Sequence, residues 1–403
     1  MKVLISGASI SGPVLAYWMT QSGYDVTVVE RAPKLRKTGG HAIDLFRPAM
    51  EISERMGVLP RIQDHATGTK VLTVNRPWAS RPARIDYVKL VGMMSDRHVE
   101  IMRDDLSEIY YDATRNDVEY VFDDQITAIA ENGDVAFERG APRKFDLIVG
   151  ADGLHSGVRR IVFGTDVAER FLGSYLSVVS VPKSLAHDGE MGAYYEPDRI
   201  AIIYTADHLD DARAVFIFRP NLPLDYDHRD VEHQKSQLCA AFGNMSADVD
   251  RWLDQVDRTP AFYFDAVTQL EMNSWSSGRV TLVGDAGYCP GPAVGGSTSL
   301  AVYGAYVLAA EIAKAGGDHT AAYAAYERTM MPSVLGSRSL ARFNAKTLVP
   351  GSRWGVGALI GTSRAISALP LTVTQSLARL NRKGIRLYDT MPLPDYPIVA
   401  ARP

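Results

Sequence analysis

The chain is poor in cysteine: Cys239 and Cys289 are its two thiols, fifty positions apart. They offer neither a disulfide framework nor a thiol pair for a metal, and they predict a chain at home in a reducing cytoplasm. It also lacks an excess of either charge. Against 47 Asp and Glu stand 43 Lys and Arg, a net charge of -4, which leaves no basic surface for nucleic acid or an anionic membrane. Apolar runs fit to span a bilayer are missing as well. Residues 286–310 carry no charge, but Pro290, Pro292 and several glycines crowd their start, and the apolar stretch 354–377 is broken by Arg364 and Pro370. Residues 1–6 run straight into a strand-like segment without the basic and apolar regions of a leader, which predicts no signal peptide. No internal repeat stands out. There is no Gly-x-Ser-x-Gly elbow, and His41, His98, His155, His187 and His208 are not paired at ligand spacing. Neither a hydrolase nucleophile nor a metal centre is therefore predicted.

What the chain does have begins at its first residue. With 403 residues, 46% of them hydrophobic and 22% charged, it is long enough for two buried cores. The opening MKVLISGASISGPVLAYWMTQSGYDVTVVERAP reads as a strand over 3–6, a glycine turn, a helix over 12–22 and a second strand over 26–29. In the turn, Gly7-Ala8-Ser9-Ile10-Ser11-Gly12, Ser9 stands where the dinucleotide fingerprint usually has its second glycine. Glu30 closes the second strand about twenty residues beyond the turn, placed to accept hydrogen bonds from an adenosine ribose, with Arg31 beside it. Together these predict an adenine dinucleotide whose pyrophosphate meets the free N–H groups and dipole of the first helix.

Two further stretches distinguish FAD from NAD(P). One is Asp146 to Arg160, DLIVGADGLHSGVRR, an apolar strand followed by Asp152-Gly153. The other is GRVTLVGD followed by AGYCPGPAVGGSTSL, an apolar strand that ends in Gly284 and a lone acid, Asp285, before a Gly- and Pro-rich turn and a helix starting near Gly296. With GASISG, these resemble the three signatures of the group A flavoprotein monooxygenases, the family of para-hydroxybenzoate hydroxylase and the tetracycline-inactivating monooxygenases. The resemblance extends from residue 1 to about 330. It implies an α/β fold: a Rossmann-like, GR2-type FAD-binding domain built discontinuously from 1–70, 100–170 and 268–330. An inserted α+β substrate domain, a sheet covered by helices, would come from 71–99 and 171–267, and 331–403 would form a helical C-terminal region.

The same resemblance assigns roles residue by residue. Gly7, Ser9, Ile10, Ser11 and Gly12 would cradle the pyrophosphate, with Arg103 contacting it from the start of a helix over 103–114. Asp285 would hydrogen-bond the ribityl chain; its alternative use is a helix cap. Gly284, Pro292, Gly295, Gly296, Ser297 and Thr298 would bring backbone close to the isoalloxazine, with the following helix aimed at its pyrimidine edge. Asp44, in the segment GGHAIDL, resembles an acid that approaches the flavin. Asp152 and Gly153 would serve FAD and NAD(P)H together, supported by Arg159 or Arg160, and Arg36 or Lys37 could meet a nicotinamide phosphate. Where many relatives read GDAAH, this chain reads Gly284-Asp285-Ala286-Gly287-Tyr288, which makes Tyr288 the flavin-adjacent candidate for catalysis. Thr298 and Tyr303 replace a frequent asparagine and aspartate.

From 171 to 270 the sequence alternates short apolar runs with polar turns, then offers helices over 228–242 and 247–256. Tyr194, Tyr204, Phe216 and Phe218 could line a pocket for a planar substrate or belong to the core. The implied activity is a monooxygenase in which NADPH or NADH reduces FAD and O2 forms a flavin C4a-hydroperoxide. That species would hydroxylate an aromatic or polyketide-like small molecule, in a monomer or homodimer. An epoxidase or other flavin oxidoreductase on the same fold, an NAD-dependent dehydrogenase, and a non-catalytic FAD-binding protein are the alternatives; the tryptophan-rich halogenase motif is absent.

Overall fold

The computed structural model describes residues 1–35, 39–165, 167–225, 227, 229–259, 261–292, 296–370, 372–374, 376, 386–394 and 396. Arg36, Lys37 and Gly295 lie outside them.

Five strands run parallel in the order Val280–Leu282, Leu147–Gly150, Lys2–Ser6, Asp25–Glu30, Glu119–Phe122, with Ser276–Ser277 antiparallel at one edge. Helices lie against a parallel sheet on both faces, so its central strands must be apolar on both. Val3, Leu4, Ile5, Leu147, Ile148 and Val149 are accordingly all buried. The expected first helix occupies Ser11–Gln21, and the helix expected near Gly296 runs over Ser297–Lys314 and packs against it. All three signature turns therefore fall at the same, C-terminal end of adjacent parallel strands, where ligands of open α/β sheets collect.

A second sheet of seven strands has the order Phe262–Leu270, Glu169–Pro182, Asp211–Phe218, Arg199–Tyr204, Glu190–Glu196, Val71–Asn75, Ala83–Asp86. All its pairings are antiparallel save that of Glu190–Glu196 with Val71–Asn75. Because strand side chains alternate, its two faces build separate cores. One face buries Phe216, Phe218 and Phe264 against Leu238 and Phe242 of the helix Val231–Phe242 and Trp252 of Ala247–Leu253. The other buries Val178, Val215 and Ile217, with Val356 and Ile360 of the helix Arg353–Ala368. This alternation divides the four aromatic candidates. Phe216, Phe218 and Tyr194 point to the face covered by Val231–Phe242 and Ala247–Leu253, where the Tyr194 hydroxyl bonds Asp248. They are core, and Tyr204 alone faces the opposite way.

A two-stranded ladder, Ala42–Phe46 with His98–Met102, sits between the sheets. The helix His319–Thr347 lies along Ser297–Lys314. No described helix is long and apolar enough to cross a membrane.

Candidate functional site

The glycine turn is held by contacts that leave no room for side chains. Gly7 has φ +108°, and a Cβ there would stand 2.5 Å from the Ala151 carbonyl oxygen; a Cβ on Gly12 would overlap the carbonyl oxygen of Gly7. Ser9 is tolerated and used: its hydroxyl accepts from the Arg103 guanidinium at 3.1 Å, and its carbonyl accepts from the Ser107 hydroxyl at 3.1 Å. Glu30 accepts from the Ala8 amide at 2.9 Å and from the Ala32 amide at 2.8 Å, so it braces the turn from below. Arg31 is exposed at the strand end, while Ile10 and Ser11 are buried. The helix Ser11–Gln21 has no side-chain cap and no acid in its first turn, which leaves its first N–H groups without side-chain acceptors.

The third signature comes to meet it. Gly284 has φ +67°, and a Cβ there would meet the Ser11 hydroxyl at 2.5 Å. Asp285 follows, half-buried. Burial pushes its carboxyl up, with the Arg103 charge and a hydrogen bond from the Cys289 thiol pulling the other way. Arg103, bonded to Ser9 of the glycine turn, thus also acts electrostatically on Asp285. This carboxylate accepts from no N–H or O–H among the described residues, and the hydroxyls of a ribityl chain would supply the missing donors. This deficit, the glycine cradle and the uncapped helix are the features by which the residues present fit FAD.

Beyond Asp285, Gly296 has φ +76° and begins Ser297–Lys314, which again has neither a side-chain cap nor a first-turn acid. Ser297 and Thr298, half-buried, form that first turn, and Pro292 is half-buried ahead of it. Ser299 ties the helix to the ladder, accepting from the Phe46 amide at 2.9 Å and donating to the Asp44 carbonyl at 3.2 Å. The opposite flank is tied to the seven-stranded sheet, where the Leu270 amide donates to the Cys289 carbonyl and the Gln269 side chain to that of Pro290, each at 2.9 Å.

Tyr288 turns away from this surface. It is the last residue of the short helix Asp285–Tyr288, which rotates it into the core behind the turn. There its hydroxyl accepts from Tyr326 at 3.1 Å, its ring lies 4.9 Å from that of Trp275, and it fills the space a Cβ on Gly304 would need. This geometry makes it a packing residue in place of the catalytic candidate expected from sequence.

In the second signature, Asp152 accepts from the Ser156 hydroxyl at 2.5 Å and from the amides of Gly157 and Val158 at 2.8 and 3.1 Å. Its carboxylate closes the start of the helix Gly157–Phe163, while Gly153, φ +78°, faces open space. Arg159 is buried and donates to the Ala286 carbonyl at 2.9 Å, which links this helix to the Asp285 turn. Arg160 is exposed and donates to the His155 carbonyl at 3.1 Å.

Asp44 pairs with His98 at 2.7 Å and lies directly across the ladder from Glu100. Glu100 accepts from Tyr87 at 2.8 Å and from Thr67; burial and the Asp44 charge push its carboxyl up. Tyr204 accepts from the Ala42 amide at 2.7 Å, and Arg213 donates to the Gly40 carbonyl at 2.9 Å. His41 is held neutral, its pKa lowered to about 4 by burial and then by Arg103. Sequence reasoning missed Glu100, Tyr87 and Arg213: ladder register sets Glu100 against Asp44, Tyr87 opens the helix Tyr87–Met94 and Arg213 stands on Asp211–Phe218, and no local spacing encodes their meeting. Of the histidines, His98, His155 and His208 each pair with a carboxylate, and no group of three or more His, Cys, Asp or Glu that could hold a metal occurs among the described residues.

The FAD binding domain family matches residues 1–329. An uncharacterized protein of Mycobacterium tuberculosis is 41% identical over 80% of this chain and 88% of its own length. A flavin-dependent monooxygenase of Legionella longbeachae is 35% identical over 81% of this chain and 84% of its own. The crystal structure of tetracycline destructase Tet(55) is similar with a TM-score of 0.82 and 31% identity, covering 98% of both chains.

Proposed function

Because the chain belongs to the FAD-binding, flavin-dependent monooxygenases, we propose that it oxygenates an aromatic or polyketide-like small molecule at the expense of NADPH or NADH, and that the three signature turns are its FAD site. Bound there, FAD supplies the hydride acceptor and the seat of oxygen activation. The protein's part is to bind, orient and keep dry. Gly7 to Gly12 and the N-terminus of Ser11–Gln21 take the pyrophosphate, with Arg103 as its fixed counter-charge, already aimed by Ser9. Glu30 takes the adenosine ribose. Asp285 receives the ribityl hydroxyls, and the free N–H groups of Ser297–Lys314 face the ring edge where negative charge collects on reduction.

The substrate fits between the ladder and the inner face of the seven-stranded sheet. Leu72, Leu172, Met191, Ile202 and Tyr263 are only partly covered on that side, an apolar wall suited to a planar ligand and to excluding water from the reacting centre. His41, neutral at physiological pH, can donate or accept a hydrogen bond beside Arg103 without adding charge. The likeness to a tetracycline destructase supports a fused-ring polyketide as one substrate class. The unpaired cysteines, Cys239 exposed and Cys289 buried, suit a cytoplasmic setting and either a monomer or a homodimer.

The observation that carries the site assignment is the half-buried Asp285, whose carboxylate accepts from no N–H or O–H among the described residues and which follows Gly284 where that glycine meets Ser11 of the glycine turn. Purified protein should be yellow and release FAD on denaturation. Oxidation of NADPH or NADH should accelerate with phenols or tetracycline-like compounds, and the product should gain the mass of one oxygen atom. A colourless protein that takes up no added FAD would overturn the reading.

A further inference from the structure

The family match ends at residue 329, yet residues 386–394 return to the start of Ser297–Lys314 and the end of Ala42–Phe46. Tyr388 is buried, and its ring lies on the Cα of Gly296: a Cβ there would stand 2.6 Å from the ring's Cγ and closer still to its edge. The same ring stacks on Phe46 at 5.9 Å and 9°, and its hydroxyl bonds Ser337 on His319–Thr347. Tyr388 therefore touches both the start of Ser297–Lys314 and the end of the Ala42–Phe46 strand that carries Asp44. Those two elements also meet through Ser299, so the ring closes a small three-sided joint.

The segment is held by an unusual anchor. Arg386 and Asp389 are both buried and paired; Arg386 also donates to Asp96 at 2.9 Å, Ser95 donates to Asp389, and Arg47 lies 3.6 Å from Asp389. Farther on, Tyr303 donates to the Pro392 carbonyl at 2.7 Å and Tyr396 to Glu311 at 2.6 Å, which fastens the chain along Ser297–Lys314. A buried ion pair adds little net stability compared with apolar packing; its best-attested use is to specify one register. Here the register that it specifies puts a flat ring under a left-handed glycine at the head of an uncapped helix.

We propose that Tyr388 is a positioning residue of the flavin site, which sets where the free N-terminus of Ser297–Lys314 stands relative to the Asp44 strand and thereby fixes flavin affinity and reduction potential. This rests on the reading of that helix as flavin-facing. Free FAD is titrated into the full-length apoprotein of the wild type and of Tyr388→Ala, Tyr388→Leu and Tyr388→Phe. The readouts are fluorescence quenching, the visible spectrum, the potential against a reference dye, and the apoprotein melting temperature. Wild-type protein that binds no FAD overturns the flavin site itself. With the wild type binding, Tyr388→Ala and the apolar but ringless Tyr388→Leu should weaken FAD by about tenfold or more and shift both spectrum and potential. Tyr388→Phe, which keeps the ring, should restore all three. Unchanged affinity in Ala and Leu overturns the proposal. So does weaker affinity with an unshifted potential, the mark of a purely structural role, or an equal loss in Phe, which would transfer the effect to the hydroxyl.

Discussion

The helices Ser11–Gln21 and Ser297–Lys314 begin unlike His319–Thr347 and Arg353–Ala368. In the second pair a side chain satisfies the first N–H groups: Asp318 accepts from the amides of Thr320 and Ala321 at 3.0 and 3.1 Å, and Ser352 from that of Gly355 at 3.1 Å. In the first pair no side chain caps and no acid stands in the first turn. A missing cap costs roughly 1 kcal/mol. The first pair tolerates it because both helices are buried along most of their length, whereas the second pair carries exposed residues such as Phe343 and Trp354. Of these four helices, the two assigned to the fold alone are finished by their own side chains and the two assigned to a ligand are left open, although Arg47–Arg55 and Leu59–Asp64 also start without a side-chain cap.

The sharpest way to break this comparison is at the closest approach. Gly12→Val would force a branched side chain into the Gly7 carbonyl, and we expect a loss of about 3 kcal/mol or more in urea unfolding together with loss of FAD retention. Wild-type stability with bound flavin would show that the turn has more room than its geometry allows. Next, Asp285→Asn keeps volume but removes the charge that faces Arg103 and weakens its acceptance from ribityl hydroxyls. FAD affinity should fall by roughly ten- to a hundredfold, the range of a charged hydrogen bond, with little change in apoprotein melting; equal affinity by titration would remove Asp285 from the site.

The acid side of the pH profile provides a third test. His41 has a pKa lowered from 6.5 to about 4, by burial first and the Arg103 charge second. As pH falls below 6.5 the unfolded chain takes up a proton that the folded chain refuses until about 4, so folding stability declines across that window. His41→Gln should flatten the decline by about one proton in the slope of unfolding free energy against pH; parallel curves for mutant and wild type would contradict it. The smallest effect is expected at the closed helices. Asp318→Ala should lower stability by about 1 kcal/mol and leave FAD affinity untouched, since its capped amides face no ligand. A change in flavin binding there would blur the distinction drawn between the two helix types.

Much of the cofactor side was legible because its rules are local. Gly7 and Gly284 take positive φ and Gly12 packs on the carbonyl five residues before it, demands set within short stretches, and with the acid at 30 their order along the chain carries the family. Fold class and flavin chemistry follow from that. The substrate side was not legible in the same way. Phe216 and Phe218 turned out to be core because alternation along a strand says only that two faces exist, and which face the helices cover depends on distant residues. Tyr288 follows the acid closely in sequence, but one turn of helix rotated it behind the site.

By itself, then, the sequence determined the three turns proposed to hold the dinucleotide, since free amides, left-handed glycines and strand ends are properties of short stretches. Tertiary structure alone decided which side chains meet there: Arg103 on Ser9, Glu100 opposite Asp44, Tyr388 under Gly296. Those neighbours are far apart in the chain, and strand register and the return of the last segment bring them together, neither of which any local pattern of residues encodes.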